Sequence, residues 1–353
     1  MRLGINLPFK RADGSALTAA DLAAHAKRIE DAGFDGIWVG DTVGRWNTTG
    51  VDSLQWLLAA ATGTSRVELG TAVLVVPLRH PVELAQRIAS LYALSGGRFA
   101  CAVGSGSLPL DFEAVGVEHS QRFRLFNQGV PLIQKLLDGE TVGTASIHPW
   151  PDIAGKPPLI IASWYNGAWI RRAAQEYDGW VASGLNSTFA ELREGIKRYR
   201  DLGGKRALVA TVGVNFEATS PPLTDHTSFS LRCVFDEARE RVERLAELGF
   251  DDLLLTGGTS FAPDDMPSDL LRRIVSLRPE KRETNRAALE APRQELPRAQ
   301  DPVCRRFIDL TTMTSPTSRT VFTREFSGET YYLCSEGCVK AFEKAPGAYV
   351  RAG

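Results

Sequence analysis

Short apolar segments alternate with amphipathic segments over the first 278 residues of the chain. The segment from Arg2 to Phe9 has the composition of a strand. From Leu17 to Ala32 the apolar residues fall on one face of a helix, and Gly33 follows as a typical C-terminal stop. The same alternation continues to residue 278 and predicts eight strand–helix pairs.

Strands that alternate with helices predict a parallel sheet covered by helices, either an open doubly wound sheet or a closed barrel. Eight pairs favour the closed form, an α/β fold of the (β/α)8 TIM-barrel type, which typically takes roughly 250 residues. The reactive groups of such barrels lie at the C-terminal ends of the strands.

The character of the chain changes after residue 278. Residues 279–300 are densely charged, contain Pro279, Pro292 and Pro297, and have almost no apolar periodicity, which is typical of a linker. We therefore predict a barrel domain at 1–278, a charged linker at 279–300 and a small α+β module at 301–353.

Composition and charge narrow the function classes. The formal net charge is -1 and no basic stripe is visible, so we expect no nucleic-acid partner. Apolar stretches such as Val67 to Leu78 are too short to cross a bilayer, so we expect no membrane segment. The N-terminus lacks the layout of a signal peptide, and we expect a cytoplasmic protein.

Glycine, serine and threonine recur at the predicted strand ends. Examples are Gly104 to Ser107, Ser163 to Gly167 and Thr256 to Gly258. Such turns can bind an anion where free N–H groups open a helix, although they are also ordinary strand-to-helix connections.

One longer stretch is more specific than any single turn. Val67 to Gly106 contains a Gly-Thr-Ala strand, a Pro-x-x-x-Pro turn, a helix, a Leu-Ser-x-Gly-Arg turn and a Gly-x-Gly strand end. In that order and spacing these motifs resemble the superfamily of luciferase-like flavin monooxygenases and deazaflavin-dependent oxidoreductases. Flanking segments at 32–41 and 157–180 agree, so the resemblance covers residues 1–278.

The resemblance implies a set of site residues. Asp41, at the end of the second strand, would face the flavin ring as the catalytic group. Thr71, Ala72 and Val73 would form a bulge against the ring, with a cis peptide bond between Ala72 and Val73. The remaining cofactor-binding positions would be Gly104, Ser105 and Gly106 near the ribityl or phosphate groups, and Tyr165, Asn166, Gly167 and Ala168 at the phosphate.

Three functions follow as alternatives. The first is a monooxygenase that uses reduced FMN and O2 on a small organic substrate, with a separate flavin reductase supplying the reduced cofactor. The second is hydride transfer with the deazaflavin coenzyme F420. The third is a non-catalytic flavin-binding scaffold whose C-terminal module senses a metal. Trp46, Trp56, Trp164 and Tyr165 suggest an aromatic-lined pocket, and relatives of this type often form homodimers.

Three of the five cysteines fall near the C-terminus. Cys334 and Cys338 lie one helical turn apart, and Cys304 precedes them by thirty residues. In a reducing compartment such a cluster favours zinc or another divalent metal over disulfides. The segment Asp-Pro-Val-Cys and the later Tyr-Tyr-x-Cys-Ser-x-x-Cys resemble the YHS domain, which implies a metal-associated module but identifies no fourth ligand.

Overall fold

The computed structural model describes residues 1–43, 51–218, 222–257, 261, 266–279, 289, 298–304, 307–310 and 321–350. Within this part of the chain, the first eight strands form a closed parallel barrel in sequence order, and β8 pairs with β1. The strands are β1 (Arg2–Asn6), β2 (Gly36–Val39), β3 (Glu68–Val75), β4 (Phe99–Gly104), β5 (Leu159–Ala162), β6 (Gly179–Ser183), β7 (Ala207–Gly213) and β8 (Asp252–Thr256). The predicted (β/α)8 barrel is confirmed.

Helices cover the outside of the barrel. They are α1 (Ala19–Ala32), α2 (Ser53–Thr62), α3 (Pro81–Leu94), α4 (Pro109–Ala114), α5 (Arg122–Leu137), α6 (Trp169–Gln175), α7 (Phe189–Asp201), α8 (Phe235–Glu247) and α9 (Ser268–Val275). The main hydrophobic core lies between this layer and the outward-facing strand residues, such as Leu3 and Ile5.

The boundaries of α1 show how local sequence defines an element. The Thr18 side chain accepts from the backbone N–H of Asp21, and the Asp21 carboxylate accepts in return from the N–H of Thr18. This reciprocal arrangement satisfies N–H groups that have no partner inside the helix. Gly33 ends the helix at a φ of 102°, a left-handed conformation that favours glycine.

The N-terminal end of the barrel interior is filled by one large side chain. Trp38 is 1% exposed and points into the lumen. A Cβ atom on Gly4 or Gly70 would lie 2.7 Å or 2.2 Å from the Trp38 ring, so only glycine fits beside it. Tryptophan in the lumen therefore depends on glycine in two neighbouring strands.

Four charged side chains lie at this same end. Arg206 contacts both Glu68 and Asp252, and Arg2 contacts both of the same carboxylates. Burial opposes the charge of Arg206, but the two carboxylates outweigh it and raise the pKa of Arg206 well above its usual range. This network closes the barrel with paired charges.

The C-terminal module has its own sheets and core. Its elements are β9 (Arg298–Gln300), β10 (Phe307–Asp309), β11 (Phe322–Phe326), β12 (Glu329–Leu333), α10 (Glu336–Lys344) and α11 (Pro346–Tyr349). Because β9 pairs with β10, this folded unit includes Arg298–Gln300, which belong to the segment predicted as linker. Residues 280–288 and 290–297 of that segment lie outside the described residues.

Its buried side chains, including Val303, Leu333 and Phe342, form a cluster separate from the barrel core. Among the residues that the structure describes, none of the helices combines the length and the apolar character that crossing a membrane requires.

Candidate functional site

The C-terminal end of the barrel interior is lined by small side chains. Alternation along the strands turns Asn6, Gly40, Ala72, Ala162, Ser183 and Thr256 inward at this end. All six are partly exposed, whereas the lumen residues one layer below, such as Trp38, Ile160 and Leu254, are buried. The barrel thus opens into a mouth at the end where reactive groups gather in this fold.

The end of β3 forms one wall of this mouth. The peptide bond between Ala72 and Val73 is cis, and the pairing of β3 with β4 shifts register between Ala72 and Leu74. Both features were predicted and are confirmed. Thr71 is fully buried, and its hydroxyl donates to the Ala102 carbonyl at 2.8 Å, which joins β3 to β4.

The glycine-rich turn after β4 lies beside this bulge. A Cβ on Gly104 would approach Val73 Cγ2 to 2.7 Å, so glycine is needed for the close approach of the two strand ends. Gly106 has a φ of +76°, and a Cβ there would lie 2.8 Å from the Phe112 ring. Ser105 and Gly106 are partly exposed on the turn. The turn therefore follows a path that glycine permits.

Asp41 lies at the same rim, and both of its carboxylate oxygens accept hydrogen bonds from other residues of the barrel. Its side chain is 0% exposed and accepts two hydrogen bonds from Arg79, at 2.6 Å and 2.8 Å. The N–H of Val75 and the hydroxyl of Ser53 also donate to it, at 2.9 Å and 3.3 Å. Burial opposes the charge of Arg79, but the Asp41 carboxylate outweighs it and raises the pKa of Arg79. The carboxylate ties the ends of β2 and β3 together.

The loop after β5 exposes mainly backbone groups, and few side chains, at the rim of the mouth. Tyr165 is buried, and its Cβ lies 2.9 Å from the point where a Cβ on Gly195 would be, so its side chain packs towards α7. Asn166 and Ala168 are exposed and Gly167 is half-buried, just before α6. These three residues keep backbone groups near solvent at the rim.

The predicted aromatic pocket is only partly described. Trp56 is fully buried in the outer core, and Trp46 lies outside the described residues. Trp164 is half-buried in the loop after β5. Of these, Trp164 alone has both a described place at the rim and a partly exposed surface.

The three C-terminal cysteines meet in one cluster. Cys304 Sγ lies 3.4 Å from Cys334 Sγ, which lies 3.9 Å from Cys338 Sγ. Zinc–sulfur bonds of about 2.3 Å in a tetrahedron would separate the sulfurs by about 3.8 Å. The neighbouring thiols of Cys334 and Cys338, together with burial, raise the pKa of the Cys304 thiol. The donor set and spacing fit a thiolate-preferring ion, whose binding would displace these protons.

Sequence reasoning missed Asp301 in this cluster. One of its carboxylate oxygens lies with the three sulfurs in a group whose atoms are all within 4.8 Å of one another. Its two oxygens also accept from the N–H groups of Val303, Cys304 and Cys334, at 2.8, 3.2 and 2.7 Å. The only sequence signal is its place in the Asp-Pro-Val-Cys segment.

Arg79 was missed as well, since nothing in its local sequence pairs it with Asp41, 38 positions earlier. The pairing depends on β2 and β3 lying side by side in the barrel.

A family model described as luciferase-like monooxygenase matches residues 1–228. This chain belongs to the luciferase-like monooxygenase family. The match ends before β8, but the barrel of this luciferase-like chain continues through α9.

Two curated relatives show the range of the family. An F420-dependent glucose-6-phosphate dehydrogenase of Beutenbergia cavernae is 35% identical over 189 residues, which are 49% of this chain and 55% of the relative. A 4-hydroxyprotoasukamycin monooxygenase of Streptomyces nodosus subsp. asukaensis is 34% identical over 162 residues, 42% and 43% of the two chains. The luciferase-like chain thus spans about half the length of these relatives.

A solved structure supports the fold. The oxygenating constituent of 3,6-diketocamphane monooxygenase from Pseudomonas putida, in complex with FMN, superimposes with a TM-score of 0.61 at 15% identity. The match covers 84% of the luciferase-like chain and 99% of the other.

Proposed function

We propose that the barrel is a flavin-dependent oxidoreductase, a luciferase-like monooxygenase that uses reduced FMN and O2 on a small organic substrate. The observation that carries the proposal is the mouth of small, partly exposed side chains at the C-terminal end of a barrel of this family. Flavin, when bound, supplies the redox chemistry, and the protein supplies orientation and exclusion of water. In this scheme a separate flavin reductase provides the reduced cofactor.

Each wall of the mouth has a task in this proposal. Thr71, Ala72 and Val73 would pack against the ring, and Gly104, Ser105 and Gly106 would admit it closely because they carry little or no side chain. Exposed backbone at Asn166, Gly167 and Ala168 would receive the phosphate, while Tyr165 holds this loop through its buried side chain.

Asp41 is the residue that we predicted as catalytic. Its buried ion pair with Arg79 supports a positioning task, in which the carboxylate holds the two strand ends that form the mouth. Asp41→Asn separates the two roles. A proton-relay role predicts loss of one limb of the pH profile of kcat, whereas positioning predicts weaker cofactor binding with the shape of the profile retained.

F420-dependent hydride transfer is the second candidate, favoured by the relative from Beutenbergia cavernae, whose name states F420 dependence.

One experiment tests both candidates: the purified protein is titrated separately with FMN and with F420, and binding is followed by fluorescence. Tight binding of reduced FMN with substrate-dependent O2 uptake supports the monooxygenase. Anaerobic, substrate-dependent reduction of F420 supports the dehydrogenase. Binding of neither cofactor rejects both enzymes, and flavin binding without turnover supports the non-catalytic scaffold.

For the C-terminal unit we propose a YHS-like module, at about residues 301–353, that binds zinc or another divalent metal through Cys304, Cys334 and Cys338. The spacing of the three sulfurs and the nearby Asp301 support it.

Competition of the full chain with a zinc indicator should give one zinc per chain. Cys334→Ser and Cys338→Ser should each weaken binding by at least tenfold, and Cys233→Ser, a barrel thiol, should not. Undiminished binding in both module variants would contradict the proposal.

A further inference from the structure

The C-terminal module is docked on the barrel beside the glycine-rich turn. Helix α10 lies against α4, the helix that follows the turn. Two polar side chains of the barrel, His119 and Arg122, are 5% and 2% exposed at this contact. Polar groups buried in this way need partners, and the module supplies one partner to each of them, Val303 to Arg122 and Tyr349 to His119.

Arg122 holds the loop that carries the first cysteine. Its guanidinium donates to the carbonyl of Val303 and, at 3.2 Å, to the carbonyl of His119. It also lies 4.1 Å from the centre of the Phe123 ring. Val303 stands directly before Cys304 and is itself fully buried. A movement of the loop at Val303 and Cys304 would therefore change the hydrogen bond of a buried arginine of the barrel.

His119 makes the second connection. Its Nδ1 lies 3.3 Å from the hydroxyl oxygen of Tyr349, and its ring meets Phe112 edge to face at 4.9 Å. Burial and the charge of Arg122 lower the pKa of His119 to about 3, with the backbone of Ser107 acting in the opposite direction. The ring is therefore neutral near pH 7. When Nδ1 accepts from Tyr349, the proton is on Nε2.

Ser107 is the last residue of the turn that begins at Gly104, the turn proposed to admit the cofactor. The ring of Phe112, which His119 meets edge to face, lies beside Gly106 of this turn, where an added Cβ would come within 2.8 Å of it. His119 therefore stands between the module and this turn. On the module side, Asp301 is 0% exposed and accepts from the N–H groups of both Cys304 and Cys334. The contacts are continuous from the thiols to the mouth of the barrel.

We propose that ligand binding at the cysteine cluster and cofactor binding at the barrel mouth are coupled, with Arg122 and His119 as the positioning residues. The inference rests on the proposed function, because it requires a cofactor at the turn and a metal at the thiols. Coupling of binding free energies is reciprocal: metal changes cofactor affinity by the same factor by which cofactor changes metal affinity.

The test uses the full chain and two direct binding measurements. FMN, or F420 if that is the cofactor that binds, is titrated by fluorescence in the presence of one equivalent of Zn²⁺ and again in the presence of a chelator. We expect the cofactor Kd to differ at least about fivefold between the two conditions, the lower end of typical coupling. The zinc Kd should differ by the same factor with and without cofactor.

Tyr349→Phe removes only the hydroxyl that meets His119. In this variant the cofactor Kd measured with zinc and the Kd measured with chelator should become nearly equal, so their ratio, the coupling factor, approaches one while zinc still binds. Tyr332→Phe, on β12 of the same module, is the matched control and should keep the full factor. Arg122→Lys is a second variant that keeps the charge but not the fork that reaches two carbonyls, and it should also reduce the factor.

Equal cofactor affinities with and without zinc, when both ligands bind, would overturn the coupling and leave the proposed function intact. Full coupling in both Tyr349→Phe and Arg122→Lys would overturn the assigned positioning residues. Absence of cofactor binding in either condition would reject the barrel function, and absence of zinc binding would reject the metal module. Each of those two results would also overturn the coupling, and the missing ligand identifies which part failed.

Discussion

Both ends of the barrel interior are formed by side chains that alternate inward along the strands, but one end is filled and the other is open. At the N-terminal end, Trp38 and the paired charges around Arg206 fill the lumen. At the C-terminal end, the inward positions carry small uncharged side chains such as Ala72 and Ala162, which remain partly exposed. Residue size at equivalent positions, not strand geometry, decides which end is a core and which is a site.

The difference also separates stability from function. Paired buried charges contribute only if every member is present, because an unpaired charge is costly to bury. Small side chains at the mouth contribute little burial, and the space that they leave is available to a ligand. Changes at the closed end should therefore affect unfolding, and changes at the open end should affect binding.

The largest effect is expected from Arg206→Met at the closed end. It leaves Asp252, which is 2% exposed, and Glu68 without their main partner. We expect the free energy of unfolding to fall by about 3–5 kcal/mol, measured by chemical denaturation. Arg239→Met, on an exposed α8 pair, should stay within about 0.5 kcal/mol. If the free energy of unfolding of Arg206→Met fell by less than about 1 kcal/mol, the paired charges at the closed end would not be what stabilises it.

Acid should lower the stability of the fold through His119, which is buried at the contact between the barrel and the C-terminal module. Its pKa is lowered to about 3 in the folded protein, against roughly 6.5 in the unfolded chain. Its contribution is therefore complete above about pH 6.5 and is lost as the pH falls towards 3, because the unfolded chain takes up the proton first. Between pH 7 and pH 5 this linkage amounts to about 2 kcal/mol.

Denaturation midpoints of the wild type and His119→Gln at these two pH values measure this effect. The variant should show a smaller loss between pH 7 and pH 5, and His80→Gln, at an exposed turn, should behave like the wild type. Equal losses in all three proteins would mean that His119 does not carry the acid sensitivity.

The smallest change in energy is expected from Ala162→Leu at the open end. The added side chain would occupy the mouth, so the cofactor Kd should rise at least tenfold, or about 1.4 kcal/mol, while stability changes little. Ala24→Leu on the exposed face of α1 is the matched control and should leave the Kd unchanged. Unaltered binding in Ala162→Leu would place the cofactor away from this mouth.

The sequence by itself determined the barrel and much of its rim. The alternation of strands and helices is local, and eight repeats closed as expected. The resemblance placed the cis bond at Ala72–Val73 correctly, and the clustering of Cys304, Cys334 and Cys338 followed from their pattern. These features depend on neighbours along the chain or on a motif of about forty residues.

Only the tertiary structure decided the partners of the polar groups. Arg79 meets Asp41 because two strands lie side by side, and Asp301 joins the thiols because the chain folds back over thirty residues. His119 and Tyr349 are 230 positions apart, and docking of the module on the barrel brings them together. A buried charge or ring nitrogen must find a partner, but residue order does not specify which distant group closure of the fold will bring to it.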